Sequence, residues 1–251
     1  MLEEKRLIEE AVHLAEKAEE NGIIMRLMGA IAFKIHCTNN AELYKKIDRK
    51  LSDMDFVSYT RHQQDIRNLL NTLGYKERVP TMAMHLGARQ IWLNKNGIVI
   101  DIFFDQLYMC HKIDYRGRLE IDKPTVPLAE LLLQKLQVVN FTEKDLKDAI
   151  ILILEHEMAN GDNETINIKR IAELLSDDWG FYYTATMNLE KIKKGIDRYD
   201  VLSEKEKTVV KEKIDALKKV VEEQPKSMRW KMRSKLGTKV KWYRTVETIS
   251  K

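Results

Sequence analysis

The segment Ile98-Val99-Ile100-Asp101-Ile102-Phe103-Phe104 is apolar throughout except for one aspartate at its centre. Its β-branched and aromatic residues read as a strand, and the turn signal Asn94-Lys95-Asn96-Gly97 joins it to a second strand from Arg89 to Leu93. An ionised carboxylate inside such a strand is costly to bury without a partner. Asp101 is therefore expected at the edge of a site or beside a metal ion. A chain with this segment must build a sheet, and the sheet must give that acid something to face.

The preceding residues supply the rest of an α/β unit. Residues 2–20 carry Leu7, Ile8, Ala11, Leu14, Ala15 and Ala18 at helical spacing and stop at Asn21-Gly22. Ile23 to Met28 reads as a buried strand, Gly29 to His36 as a helix, and Met54 to Val57 as a strand starting just after Asp53. Gln63 to Leu73 reads as a helix ending at Gly74. Beyond Pro124 the pattern becomes helical, with helices expected over 128–138, 143–158, 168–175, 189–198 and 203–223. The expected fold class is α+β, a mixed sheet flanked by helices and followed by a helical second half. The expected organisation is an α/β domain over 1–123, a helical domain over 124–223 and a basic extension over 224–251.

Charge sharpens this division. The chain has 251 residues and a net charge of +4, yet residues 224–251 hold nine Lys or Arg against one acid, Glu247. The basic character is concentrated in the tail, and the remainder is net acidic. Only two cysteines, Cys37 and Cys110, are present, far apart and without CxxC spacing, which suits a reducing compartment. The N-terminus lacks the apolar core of a signal peptide, and no apolar run is long enough to span a membrane. A cytoplasmic location and no membrane partner are the expectation.

Ser52-Asp53-Met54-Asp55 puts two carboxylates at i and i+2, which point to the same face of a strand. Neighbouring carboxylates repel unless a cation lies between them. Mg²⁺ fits, since it takes oxygen ligands and keeps positions open for substrate phosphates.

The order Leu27-Met28-Gly29-Ala30, then Arg49-Lys50-Leu51-Ser52-Asp53-Met54-Asp55, then Asp101 on a later strand resembles the DNA polymerase β-type nucleotidyltransferase superfamily. The resemblance implies that Asp53, Asp55 and Asp101 bind metal, two Mg²⁺ ions in all, and that Asp101 helps deprotonate an attacking hydroxyl. It implies an NTP substrate near Gly29, Ala30, Arg49 and Ser52. Ala30 has no hydroxyl to offer a phosphate, so that role would fall to backbone N–H groups at the helix N-terminus. The interval from Gly29 to Asp53 leaves room for an insertion around Thr38 to Lys46.

Within that superfamily the chain is similar to the AbiEii-type group of abortive-infection and toxin–antitoxin systems. The similarity rests on Arg49 before the two aspartates, the helix Leu128 to Leu136 with Lys135, and Lys144-Asp145-Leu146-Lys147-Asp148. It implies that Lys135 contacts nucleotide phosphates, that Asp145 and Asp148 line or brace the site, and that an antitoxin protein is a possible partner. The implied function is metal-dependent transfer of a nucleoside monophosphate from an NTP to an acceptor hydroxyl on RNA such as tRNA, on a protein or on a small molecule. The alternative is a catalytically inactive nucleotide- or RNA-binding protein on the same fold.

The tail interleaves cations with aromatics: Arg229, Trp230, Lys231, Arg233, Lys235 and Trp242. Cations meet phosphates and rings stack on bases, so RNA is a candidate partner there; packing of the Trp residues on the domain is the plainer reading. Residues 168–189 faintly suggest a helix-turn-helix. His156-Glu157 lacks the second histidine of a zinc protease motif, and His36, His62, His85 and His111 show no metal spacing.

Overall fold

The computed structural model describes residues 2–38, 51–78 and 89–246. They fall into two compact units. One comprises residues 2–36, 51–78, 89–107 and 114–127; the other comprises residues 37–38, 108–113 and 128–246. Arg49, His85 and the expected insertion beyond Thr38 lie outside the described residues.

The first unit opens with α1 (Leu2–Glu20), whose Leu7, Ala11, Leu14, Ala15 and Ala18 form one buried stripe. Next come β1 (Met25–Met28), α2 (Gly29–His36), β2 (Asp53–Ser58) and α3 (Gln63–Thr72). Three strands follow: β3 (Lys76–Glu77), β4 (Arg89–Leu93) and β5 (Val99–Phe104). They make one mixed sheet in the order β1-β2-β5-β4-β3, with β2 and β5 parallel and the other pairs antiparallel. Met54 and Phe56 pair in register with Ile100 and Ile102, and all four are fully buried. Each such side chain contributes about 1.5–3 kcal/mol relative to exposure. That face is fixed as core, and alternation sends Asp53, Asp55 and Asp101 to the other face. A one-residue slip would exchange the two sets, so apolar burial locks the acids in place. At the β1 edge the backbone N–H of Leu27 donates to Pro124 O at 2.8 Å, and that of Val126 donates to Leu27 O at 2.9 Å.

Two short strands, β6 (Gln106–Tyr108) and β7 (Lys112–Asp114), lie after the sheet in sequence. The second unit is built from α4 (Leu128–Leu136), α5 (Glu143–Glu155), α6 (Ile168–Asp177), α7 (Trp179–Gly195), α8 (Glu204–Glu223) and α9 (Met228–Leu236). Every residue of α4 except Lys135 is buried, as expected for a helix that is apolar on nearly all sides. A capping box of Thr142 and Asp145 starts α5, and one of Ser203 and Glu206 starts α8. Between α5 and α6, β8 (Glu157–Ala159) and β9 (Thr165–Asn167) pair in parallel. These strands are three residues long, too short to show a period in the sequence. The faint helix-turn-helix reading gains no turn: Asp178 alone joins α6 to α7, ending one helix and accepting from Phe181 N at 3.1 Å to start the next. No helix among the described residues is long and apolar enough to cross a membrane.

Candidate functional site

In the first unit Asp53, Asp55 and Asp101 share one face of the sheet. Asp55 is the register partner of Asp101 across the parallel β2–β5 pair, and Asp53 lies two residues earlier on the same face. The row continues through Met28 on β1 and Ile91 on β4. Asp101 and Asp55 therefore occupy adjacent inner strands, flanked by apolar side chains.

Gly29 closes the row from above. Its φ of +64° is one that side-chain-bearing residues rarely adopt, and a Cβ built there would lie 2.3 Å from Asp55 Oδ2. Only glycine allows the carboxylate to press against the first residue of α2. That helix start carries partial positive charge and N–H groups without intrahelical acceptors, which favour an anion. Ser52 Oγ donates to Asp53 Oδ1 at 3.2 Å.

Asp101 has a protein cation that the sequence reading did not provide for. Arg89 donates to it through both Nε and Nη2, a two-pronged pair, while the guanidinium also lies 5.0 Å from the Phe103 ring centroid. The observed register sets Arg89 opposite Phe103, diagonal to Asp101 on the same face. Counting back from a four-residue Asn94–Gly97 turn sets it opposite Ile102 instead, so the sequence carried no usable signal for this pair.

The remaining named residues form a second cluster, inside the helical unit. Lys135 Nζ lies 2.9 Å from Asp148 Oδ2 and 3.3 Å from Asp145 Oδ1. The Asp148 side chain is fully buried, and that of Lys135 is 11% exposed. Asp145 also accepts from Thr142 N at 3.0 Å and Thr142 Oγ1 at 2.6 Å. The ammonium is thus neutralised by two carboxylates on α5, one of them tied into the helix cap.

The tail's rings are packed within the second unit. Trp230 meets Tyr182 edge-on at 5.2 Å, and Trp242 meets Tyr183 at 5.1 Å and donates to Thr184 Oγ1 at 3.1 Å. Arg233 lies 4.8 Å over Trp179. Arg229, Lys231 and Lys235 are exposed.

Among the described residues no three His, Cys, Asp or Glu side chains gather closely enough to cage a metal ion. Mg²⁺ is ordinarily held by one or two carboxylates together with substrate phosphates and water. Asp53 and Asp55, hard oxygen donors two residues apart on one face, fit that mode of binding. Asp101 fits it only where Arg89 yields its carboxylate.

No family model and no curated protein matches this chain. Among solved structures the chain is similar to the antibiotic-resistance factor ANT(2'')-Ia, with a TM-score of 0.42 and 8% identity over 69% of this chain and 95% of that one.

Proposed function

We propose that the chain is a metal-dependent nucleotidyltransferase, related to the AbiEii-type group by the motifs in its sequence. The observation that carries this reading is the in-register pair of Asp55 and Asp101 on parallel strands, with Asp53 on the same face and Gly29 at the start of α2 beside Asp55. In the reaction, an acceptor hydroxyl attacks the α-phosphate of an NTP. A new O–P bond forms, the bond to the bridging oxygen breaks, and pyrophosphate leaves. Bound Mg²⁺ would supply charge neutralisation on the phosphates and a more acidic acceptor hydroxyl. Asp53 and Asp55 would hold it. The N–H groups at the start of α2 would receive a phosphate oxygen. Asp101, once released by Arg89, would take the hydroxyl proton. Arg89 would then be free to pair with a phosphate, for which its planar fork is equally suited. RNA is the acceptor class we favour, on the exposed cations Arg229, Lys231 and Lys235.

A second reading, nucleotide or RNA binding without turnover, is favoured by the pairing of Asp101 with Arg89. The two readings separate by label transfer from the four α-³²P NTPs with Mg²⁺ to cellular RNA, protein and small cationic acceptors. Label that appears in one acceptor and disappears in an Asp53→Asn, Asp55→Asn variant establishes a transferase. Well-folded protein that labels nothing but binds NTP establishes the binding reading.

A further inference from the structure

Neither acidic cluster uses the pocket in the helical unit at the start of α5 and the end of α7. Its volume is about 440 Å³, within the range of small-ligand sites. Three of its walls are cationic: Lys191 and Lys194 on α7, and Arg198 just beyond it. The single lining acid, Glu143, is already engaged, accepting from the Tyr199 hydroxyl and pairing with Arg198 Nη2 at 3.4 Å. Lys194 forms no salt bridge among the described residues, and Lys191 donates to a neutral acceptor, Asn188 Oδ1, at 3.1 Å. The pocket is therefore electropositive with cationic capacity to spare. Phe141, half-buried, gives it an aromatic wall, with Lys191 Nζ 5.7 Å from the ring centroid. The floor is tight because Gly195 has no side chain: a Cβ there would lie 2.8 Å from Leu146 Cδ2.

A flat apolar ring beside a cluster of cations calls for a ligand that joins a flat ring to an anion. We propose that this pocket binds a nucleoside phosphate, the base against Phe141 and the phosphate against Lys194, Lys191 and Arg198. Base stacking on an aromatic side chain tolerates any base, and the two lysines left over after Glu143 pairs with Arg198 can neutralise one phosphate group. A free nucleotide and the end of an RNA strand share this chemistry. The inference is independent of the transferase reading, because the pocket uses no sheet carboxylate.

The test is calorimetric titration of the full chain in EDTA, where a site that depends on Mg²⁺ is silent. The probes are AMP, adenosine, inorganic phosphate and a five-nucleotide RNA. AMP binds more tightly than adenosine or phosphate alone, and raised salt weakens it. Lys194→Glu, on the exposed face of α7, weakens AMP by about tenfold or more through charge reversal at the phosphate. Phe141→Leu keeps the apolar volume and weakens AMP while leaving phosphate unchanged. The Asp53→Asn, Asp55→Asn variant binds AMP as the parent does. RNA binding tighter than AMP assigns the pocket to a strand end, and equal binding assigns it to a free nucleotide. The proposal is overturned if neither AMP nor RNA binds in EDTA, if phosphate alone binds as well as AMP, or if Lys194→Glu leaves binding unchanged. If the pocket variants lose AMP while label transfer is also absent, the pocket stands and the transferase reading falls.

Discussion

The chain holds two acidic clusters, and they solve the problem of charge in opposite ways. In the helical unit, Asp145 and Asp148 close around Lys135, with the Asp148 side chain fully buried, and Asp145 doubles as a helix cap. On the sheet, Asp53 and Asp55 share a face two residues apart, and Asp55 lies against a helix start that attracts anions. The first cluster is built around a lysine. The second concentrates negative charge on a face that the core leaves over, which is the arrangement a bound cation stabilises. Asp101 stands between the two types, on the sheet face yet paired with Arg89.

The largest effect is expected where the comparison says structure. Asp148→Ala strips the fully buried carboxylate from a largely buried ammonium and should cost about 3–5 kcal/mol of stability, as broken buried pairs do. Urea unfolding of the variant measures it. A cost below about 1 kcal/mol, the value of an exposed pair, would mean that Lys135 turns outward easily and is available to a phosphate after all.

The same unit buries a histidine whose desolvation outweighs the attraction of the Asp178 carboxylate. His111 lies stacked on Phe181 at 5.0 Å, its Nε2 2.8 Å from Thr184 Oγ1, and burial pushes its pKa down to about 4. The folded state binds its proton less readily than the unfolded chain does. Stability is therefore retained above the unfolded pKa near 6.5 and lost as pH falls toward 4, by on the order of 2–3 kcal/mol for this group. Thermal unfolding across that window should show the loss in the parent and a smaller one in His111→Gln. Equal pH slopes in the two proteins would assign the loss to other groups.

Arg89→Met is the next smaller step and asks to which type Asp101 belongs. Without Mg²⁺ the variant should lose about 1–3 kcal/mol, because a partly buried carboxylate loses its cation. With Mg²⁺ the loss should shrink, since an ion that binds only the folded chain stabilises it by mass action. A loss that Mg²⁺ leaves untouched would class Asp101 with the structural acids.

Much of this was legible in the sequence, for identifiable reasons. The i, i+2 spacing fixed Asp53 and Asp55 to one face, and the apolar run around Asp101 fixed a strand. The alignment of Asp55 with Asp101 was not legible, because it depends on the register of a parallel pair whose strands are far apart in sequence. The partner of Asp101 was not legible either, because counting back from a four-residue Asn94–Gly97 turn sets Arg89 opposite Ile102, one residue off the observed register, and a lone Arg at a strand start carries no pattern of its own. Lys135 lies among leucines in the sequence, a neighbourhood that implies a stem packed on apolar surface. That its ammonium meets Asp145 and Asp148 depends on how two helices pack, which the sequence does not state. β8, β9 and α9 escaped because their segments are short or have cations interrupting every apolar position.

The smallest stability change is the most informative one. Asp53 is only partly buried and faces its like-charged neighbour Asp55 across one intervening residue. Asp53→Asn keeps the shape and removes that repulsion, so the metal-free variant should match the parent within about 0.5 kcal/mol or exceed it slightly. In Mg²⁺ the ranking should reverse, because the parent gains from ion binding and the variant does not. The pair of unfolding curves, with and without Mg²⁺, separates a carboxylate kept for a ligand from one kept for the fold. If Asp53→Asn instead destabilises the metal-free protein as strongly as Asp148→Ala does, both clusters are structural braces, and the sheet face loses its claim to be an active site.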